Sequence, residues 1–210
     1  MVDWKVSTQQ EDYLSSIKFM DNRVNQIIAN KAPELIWFLQ YPPLYTAGSS
    51  AKENELTDVN FPVYQTGRGG KFTYHGPGQL IVYLMLNLQA RNAADIKLYV
   101  YNLEQIIIDF LSEFGINGIR INDKVGVWIN VDDQYKKIGA IGIRVKRWVT
   151  FHGISININP DLSHYNGIIP CGVTEYGITS LQNLNITTNT TEAIHHLQTP
   201  IQKILLNKEF

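Results

Sequence analysis

Residues 67–88 read GRGGKFTYHGPGQLIVYLMLNL, and the two halves of this stretch behave so differently that together they decide the fold class. The second half, Leu80–Leu88, is the most apolar run of the chain. A bilayer-spanning helix needs about 20 such residues, so this run is too short for one and is predicted to be a buried strand. The first half, Gly67–Gln79, places Gly67, Gly69, Gly70, Gly76 and Gly78 within thirteen positions. Glycine admits left-handed backbone angles and lets a ligand come close to the main chain, so the segment is predicted to be a ligand-cradling loop. Arg68 and His75 supply its polar groups. The plainer alternative is a hairpin, since Gly-Pro-Gly is turn chemistry in its own right. The segment lacks the Lys-Ser/Thr ending of a Walker loop and the spacing of a dinucleotide fingerprint.

Working outward, four further stretches rich in β-branched and aromatic residues read as strands: Glu34–Tyr41, Val125–Val131, Lys137–Val145 and Val149–Ile158. Helices are expected over about residues 9–30, opened by a Thr8/Glu11 capping box, and from Ile96 to Phe114, capped by Asp95 and stopped by Gly115. A third helix, from Thr191 to Leu206, should be kinked or divided by Pro200. This order predicts an α/β (α+β) fold, with helices packed on one face of a mixed or largely antiparallel sheet. No repeat, low-complexity tract or linker interrupts it, so residues 1–210 are expected to form one domain.

Composition narrows the function classes. The chain has 210 residues, 44% of them hydrophobic and only 18% charged, which excludes a disordered, highly charged protein. Its 18 Lys plus Arg against 19 Asp plus Glu argue against a nucleic-acid-coating protein. The N-terminus has no basic start followed by an apolar segment, and no membrane partner is expected. Cys171 is the single cysteine, so an intrachain disulfide and a four-cysteine zinc site are excluded. An unpaired thiol suits a cytoplasmic location. No H-E-x-x-H or Cys/His cluster points to a metal, and no G-x-S-x-G elbow points to a serine hydrolase. Seven cations between Arg120 and Arg147, against three aspartates, predict a basic face for an acidic protein partner.

Cys171 lies in Ile169-Pro170-Cys171-Gly172, where Pro and Gly suggest a tight turn that presents the thiol. A free thiol with a pKa of about 8.5 is only a few per cent thiolate at neutral pH, so a nucleophilic role requires a partner. Lys137, His75 and His152 are the candidates. If Lys137 opens the strand KIGAIGIRV, strict alternation puts Gly139 and Ile141 on its own face, where an ammonium would exchange a proton with a thiol. Lys136 and Lys137 as solvated loop residues are the plainer alternative.

Four blocks, taken in order, resemble the octanoyltransferase family: YPPLYTAG at 41–48, TGRGGKFTYHGPGQL at 66–80, KIGAIGIRV with WVTFHG at 137–153, and IIPCGVTEYGITSL at 168–181. The resemblance implies a mixed sheet with flanking helices, similar to the catalytic domains of biotin– and lipoate–protein ligases. It implies transfer of an octanoyl or lipoyl group from acyl carrier protein to a lysine of lipoyl domains or glycine-cleavage H protein, without a cofactor. It further implies Cys171 as the nucleophile and Lys137 as its dyad partner. Three walls of an acyl site come with it by position: Arg68, Gly69, Gly70, Lys71, Phe72, Thr73, Tyr74 and His75; then Ala140, Ile141 and Gly142; then Gly153, Ile154 and Ser155. Backbone N–H groups near Cys171, assisted by His75 or His152, would stabilise the tetrahedral oxyanion. A monomer is expected, because no apolar stripe is left over.

Overall fold

The computed structural model describes residues 2–169 and 177–206. In chain order the strands are β1 (Val2–Val6), β2 (Glu34–Leu39), β3 (Leu44–Ala47), β4 (Val63–Gln65), β5 (Phe72–His75), β6 (Gln79–Met85), β7 (Ile119–Ile121), β8 (Lys124–Val131), β9 (Gln134–Lys146), β10 (Val149–Asn157) and β11 (Gly177–Ile178). The α-helices are α1 (Tyr13–Ile28), α2 (Ile96–Ser112) and α3 (Thr190–Ile201). The main sheet runs β1-β2-β6-β10-β9-β8-β7, with β11 also paired to β9, and a small second sheet runs β4-β3-β5. Pairing is antiparallel except between β1 and β2, between β3 and β4, and between β11 and β9. The mixed α/β class expected from sequence is the one observed.

The helices do not share one face. Along β2 and β6, Ile36, Phe38, Leu80, Val82 and Leu84 pack with α2 and α3. Their alternate neighbours Leu35, Trp37, Leu39, Ile81, Tyr83 and Met85 pack with Tyr13, Met20, Val24 and Ile27 of α1 on the opposite face. A run that is apolar at every position has no face to spare for water, so it needs cover on both sides. That continuity, rather than the order of elements, was the informative signal.

Helix boundaries are set by their caps. The Thr8/Glu11 box does not form: Asp12 caps α1, accepting from the Ser15 N–H at 2.8 Å, while Glu11 accepts from the Ser7 hydroxyl. Asp95 caps α2 as expected, accepting from the Leu98 N–H at 3.0 Å, and Gly115 takes a positive φ of 71° just beyond it. Pro200 lies inside α3, and a π-helical turn, Gln202–Leu206, comes directly after it. Proline has no N–H to donate, so the regular ladder breaks at that point.

Two tight hairpins place β8, β9 and β10. Asp132 and Asp133 turn β8 into β9 with φ of 52° and 60°, and Arg147 and Trp148 turn β9 into β10 with φ of 49° and 61°. Consecutive positive φ values match the strand twist that two-residue hairpins require. β9 is therefore the long spine along which both of its neighbours are registered.

Candidate active site

The register of β9 contains one irregularity, and it decides where Lys137 points. Trp128 pairs with Lys137, but its neighbour Val127 pairs with Gly139, which leaves Ile138 as an extra residue in β9. Such a β-bulge reverses the alternation on one side of it. Gly139 therefore faces α2, where a Cβ would lie 2.9 Å from Ile107 Cδ1. Lys137 faces the other way, into a cavity of about 400 Å³. The expectation that Lys137, Gly139 and Ile141 share a face is thus overturned by one inserted residue.

Lys137 is only 6% exposed. Its Nζ donates to the Val125 carbonyl at 3.0 Å and sits 4.5 Å from the centre of the Trp128 ring. Gly126, with φ of 124°, makes room: a Cβ there would lie 2.7 Å from the Gly139 carbonyl oxygen and 3.1 Å from Lys137 Cε.

The cavity lies on the α1 face of the main sheet, roofed by β5 and the loop before it. Arg68, Gly70, Lys71, Phe72, Thr73 and His75 form one wall, and Ala140–Gly142 and Gly153–Ser155 form the floor. Gly69 and Tyr74 are not among its lining residues. Gly69 donates its N–H to the Ile143 carbonyl, and Tyr74 alternates away from the cavity to pack with Tyr45 and Phe61. The stretch read as a loop is in part strand β5, which pairs with β3 through Thr46↔Thr73 and Leu44↔His75. Arg68 serves mainly as a staple, donating to the Thr46 hydroxyl and carbonyl at 2.7 and 2.9 Å and to the Lys71 carbonyl at 3.0 Å. Gly153 permits the floor: a Cβ would lie 2.2 Å from the Val82 carbonyl oxygen.

Sequence reasoning missed Tyr13, Ile81, Tyr83, Val125 and Trp128, which also line the cavity. Tyr13 and Tyr83 carried a legible signal, as tyrosines inside otherwise aliphatic periodic runs. Among the described residues no group of His, Cys, Asp and Glu forms a metal-binding cluster.

Two histidines line the same space. The Gln79 amide nitrogen donates to the Tyr74 carbonyl at 3.1 Å and to Asn157 Oδ1 at 3.0 Å, so Gln79 Oε1 must accept from His75 Nδ1 at 2.6 Å. Burial, assisted by the Arg68 charge and opposed by the Gln79 bond, depresses the His75 pKa to about 4. Neutral His75 with its proton on Nδ1 has a lone pair, not a proton, on Nε2, so it is no donor to an oxyanion. His152 sits in the interior of β10 at φ of 61°, with its N–H on Met20 Sδ at 3.1 Å. Positive φ at a non-glycine strand residue is strained by about 1 kcal/mol or more. Burial, then the charges of Arg68 and Arg144, lowers the His152 pKa to about 3.

Cys171 lies outside the described residues, and the chain is anchored on both sides of it. C-terminal to the cysteine, Gly177 and Ile178 pair with Lys136 and Lys137, and the Thr179 N–H donates to the Lys137 carbonyl at 2.9 Å. N-terminal to it, the Ile169 N–H donates to the Glu55 carbonyl at 2.7 Å, and Glu55 is bridged to Lys71 of the roof.

The basic stretch is not one face. Lys137 is buried, Arg120 is bridged to Glu104, and Arg144 lies 5.1 Å from the Phe151 ring centre. Lys146 and Arg147 sit at the far hairpin, roughly 30 Å along β9 from Lys137 at about 3.3 Å per residue.

The model of the family described as the lipoyl protein ligase A/B catalytic domain matches residues 12–202, nearly all of this sheet, its helices and the roofed cavity. The fold is shared with an archaeal bipartite lipoate protein ligase from Thermoplasma acidophilum, at a TM-score of 0.71 and 12% identity, covering 98% of this chain and 84% of that one. Relatives named octanoyltransferase are much nearer in sequence. That of Wolbachia pipientis from Culex pipiens is 49% identical over 97% of this chain and 100% of its own length. That of Ehrlichia chaffeensis is 49% identical over 99% and 97%. The chain belongs to the octanoyltransferase family, and is an acyltransferase of lipoate biosynthesis.

Proposed function

We propose that the enzyme takes the octanoyl (or lipoyl) group from the pantetheine thioester of acyl carrier protein onto Cys171 and passes it to a lysine of a lipoyl domain or glycine-cleavage H protein. The observation that carries this reading is the placing of Lys137: a buried amine turned by the Ile138 bulge into an acyl-sized cavity, where it can share one proton with a thiol, with Gly177 and Ile178 of the cysteine-bearing connection paired alongside. In the first half-reaction the Cys171 thiol gives its proton to Lys137 and the sulfur attacks the thioester carbonyl. The C–S bond to pantetheine then breaks, and Lys137 returns a proton to the departing thiolate. In the second, the acceptor amine attacks the acyl-enzyme, the Cys171 thiolate leaves, and the surplus amine proton goes to the Cys171–Lys137 pair. Exchange of one thioester for another is close to neutral in free energy and amide formation is downhill, so neither step calls for ATP.

Ile81, Ala140 and Gly142 offer apolar or vacant surface to the acyl chain, worth about 0.8 kcal/mol per buried methylene. An intact-mass measurement after mixing with octanoyl-acyl carrier protein, without ATP, tests the reading. One added octanoyl group on wild type, absent from Cys171→Ser and discharged by an apo lipoyl domain, is the expected result. Modification of the lipoyl domain only when ATP and free octanoate are supplied would instead mark an adenylate-forming ligase.

A further inference from the structure

The carbonyl that holds Lys137 belongs to a peptide unit gripped at both ends. Val125 O accepts from Lys137 Nζ at 3.0 Å, and the N–H of that same peptide, on Gly126, donates to Glu104 Oε1 at 3.0 Å. Glu104 comes from α2 on the opposite face of the sheet and is 8% exposed. Its second oxygen accepts from Arg120 Nε at 3.0 Å. Arg120 is itself fixed, donating to Gln105 Oε1 at 2.8 Å and to the Tyr101 carbonyl at 3.0 Å, with its guanidinium 3.8 Å from the Tyr101 ring centre. The sequence is therefore cation, carboxylate, peptide N–H, peptide C=O, cation. A carboxylate on the N–H side polarises the amide and makes its oxygen a stronger acceptor, and hydrogen bonds in series strengthen one another. A buried carboxylate is also costly to place on a helix whose other inward positions, Asn102 apart, are apolar.

We propose that Glu104 is a positioning residue for the reaction: acting through the Val125–Gly126 peptide, it holds Lys137 in place for proton exchange with Cys171, and Arg120 sets how much of the carboxylate's charge reaches that peptide. This rests on the reading of Lys137 as the proton carrier for Cys171. Lys137 must keep a proton for the departing pantetheine thiolate, so acylation has an alkaline limb where that proton is lost. The position of that limb therefore reads the coupling between Glu104 and Lys137.

Other charged groups border the cavity around Lys137. From the turn into β8 come Asp123 and Lys124, from the roof Arg68 and Lys71, the latter bridged to Glu55. His75 on β5 and His152 on β10 are neutral above their depressed pKa values, and Tyr13 and Tyr83 are raised by burial, to about 12 for Tyr13. Lys136 adjoins on β9. All of these stay in place when Glu104 or Arg120 is replaced.

The test is the pH dependence of single-turnover acylation with octanoyl-pantetheine, a small donor that needs no protein docking. In Glu104→Gln the amide oxygen still accepts from Gly126 but the charge is gone, and the alkaline limb should move down by about half a unit or more. In Arg120→Gln the same ion pair is broken from the other side, leaving the carboxylate uncompensated, and the limb should move up. A purely structural ion pair would make the two variants behave alike. Shifts of the same sign, or none in either variant, would overturn the role of Glu104. Lys137→Met separates the layers: if it acylates at the wild-type rate with the alkaline limb intact, the reading of Lys137 itself is wrong.

Discussion

The two faces of the main sheet are cut from the same strands and end in opposite chemistry. On one, Leu80, Val82 and Leu84 of β6 meet Leu103, Ile106, Ile107 and Phe110 of α2 and Leu197 and Ile201 of α3 in a closed apolar layer. On the other, Ile81 and Tyr83 meet α1 at one end and open into a cavity at the other, where Arg68, His75, Lys137 and His152 are buried together. The second face is covered by a helix over part of its length and by a short three-stranded sheet over the rest. The floor leaves room for that roof because Gly142 carries no side chain: a Cβ there would lie 2.9 Å from Arg68 Cδ and 3.3 Å from the Gly69 carbonyl oxygen. Stability comes from the face that closes, and chemistry from the face that does not.

The most damaging break should fall on the closed face. Phe110→Ala removes a ring with no exposed surface from the α2 layer, and should cost about 3–5 kcal/mol in urea unfolding while leaving the acylation rate of the folded fraction near wild type. A loss of activity exceeding the loss of folded protein would break the division of labour between the faces. On the open face, Ala140→Leu places a branched side chain on the cavity floor. It should lower the preference for octanoyl- over butanoyl-pantetheine about tenfold, roughly two methylenes at about 0.8 kcal/mol each, with little change in unfolding midpoint. An unaltered ratio of kcat/KM for the two donors would place the acyl chain elsewhere.

A pH effect on stability should also belong to the open face. His75 and His152 titrate at about 4 and about 3 in the folded protein, against 6.5 for an ordinary histidine. Above 6.5 both states leave them neutral and the full contribution is present. As pH falls through the interval down to about 4 and then about 3, only the unfolded chain takes up these protons, so stability is progressively lost. Tm should decline below pH 6.5, and the double variant His75→Gln, His152→Asn should flatten the decline, asparagine being tolerant of the positive φ at 152. An identical slope in the double variant would assign the proton uptake to other groups.

The smallest effect concerns docking of the acidic donor protein at the cavity mouth. Lys124→Glu, on the cavity border, should raise KM for octanoyl-acyl carrier protein a few-fold at low salt, and the difference should vanish as salt screens charges over about 8–10 Å. Lys146→Glu, on the distant hairpin, should leave KM unchanged. Equal effects of the two would restore a single basic face.

Sequence made the scaffold legible wherever periodicity was long. Ile96–Ser112 and the apolar β6 run are examples, and even the capping residue Asp95 is where it was expected. It failed where structure depends on pairing. β3, β4 and β5 have three or four residues each, too few for a period to emerge, and the glycines around β5 disguised it as loop. The wall positions Arg68–His75 were found as a block, but Gly69 and Tyr74 within it turn away from the cavity. The Ile138 bulge has no sequence signature at all, because it exists only in the register between β8 and β9. Yet that bulge brings Lys137 to the cavity. Glu104 was invisible for the same reason: α2 periodicity places it on a helix, and only the fold brings it to the Val125–Gly126 peptide.

The central claim is that Lys137 carries a proton and not merely a charge. Arginine at this position keeps the cation but cannot give up its proton at accessible pH. The direct measurement is single-turnover octanoylation of Lys137→Arg from octanoyl-acyl carrier protein, monitored by intact mass across pH 6 to 9. The account predicts acylation reduced by about a hundredfold or more, in keeping with the loss of a general base, in a protein that still unfolds cooperatively. Acylation near the wild-type rate with an unchanged pH profile would contradict it.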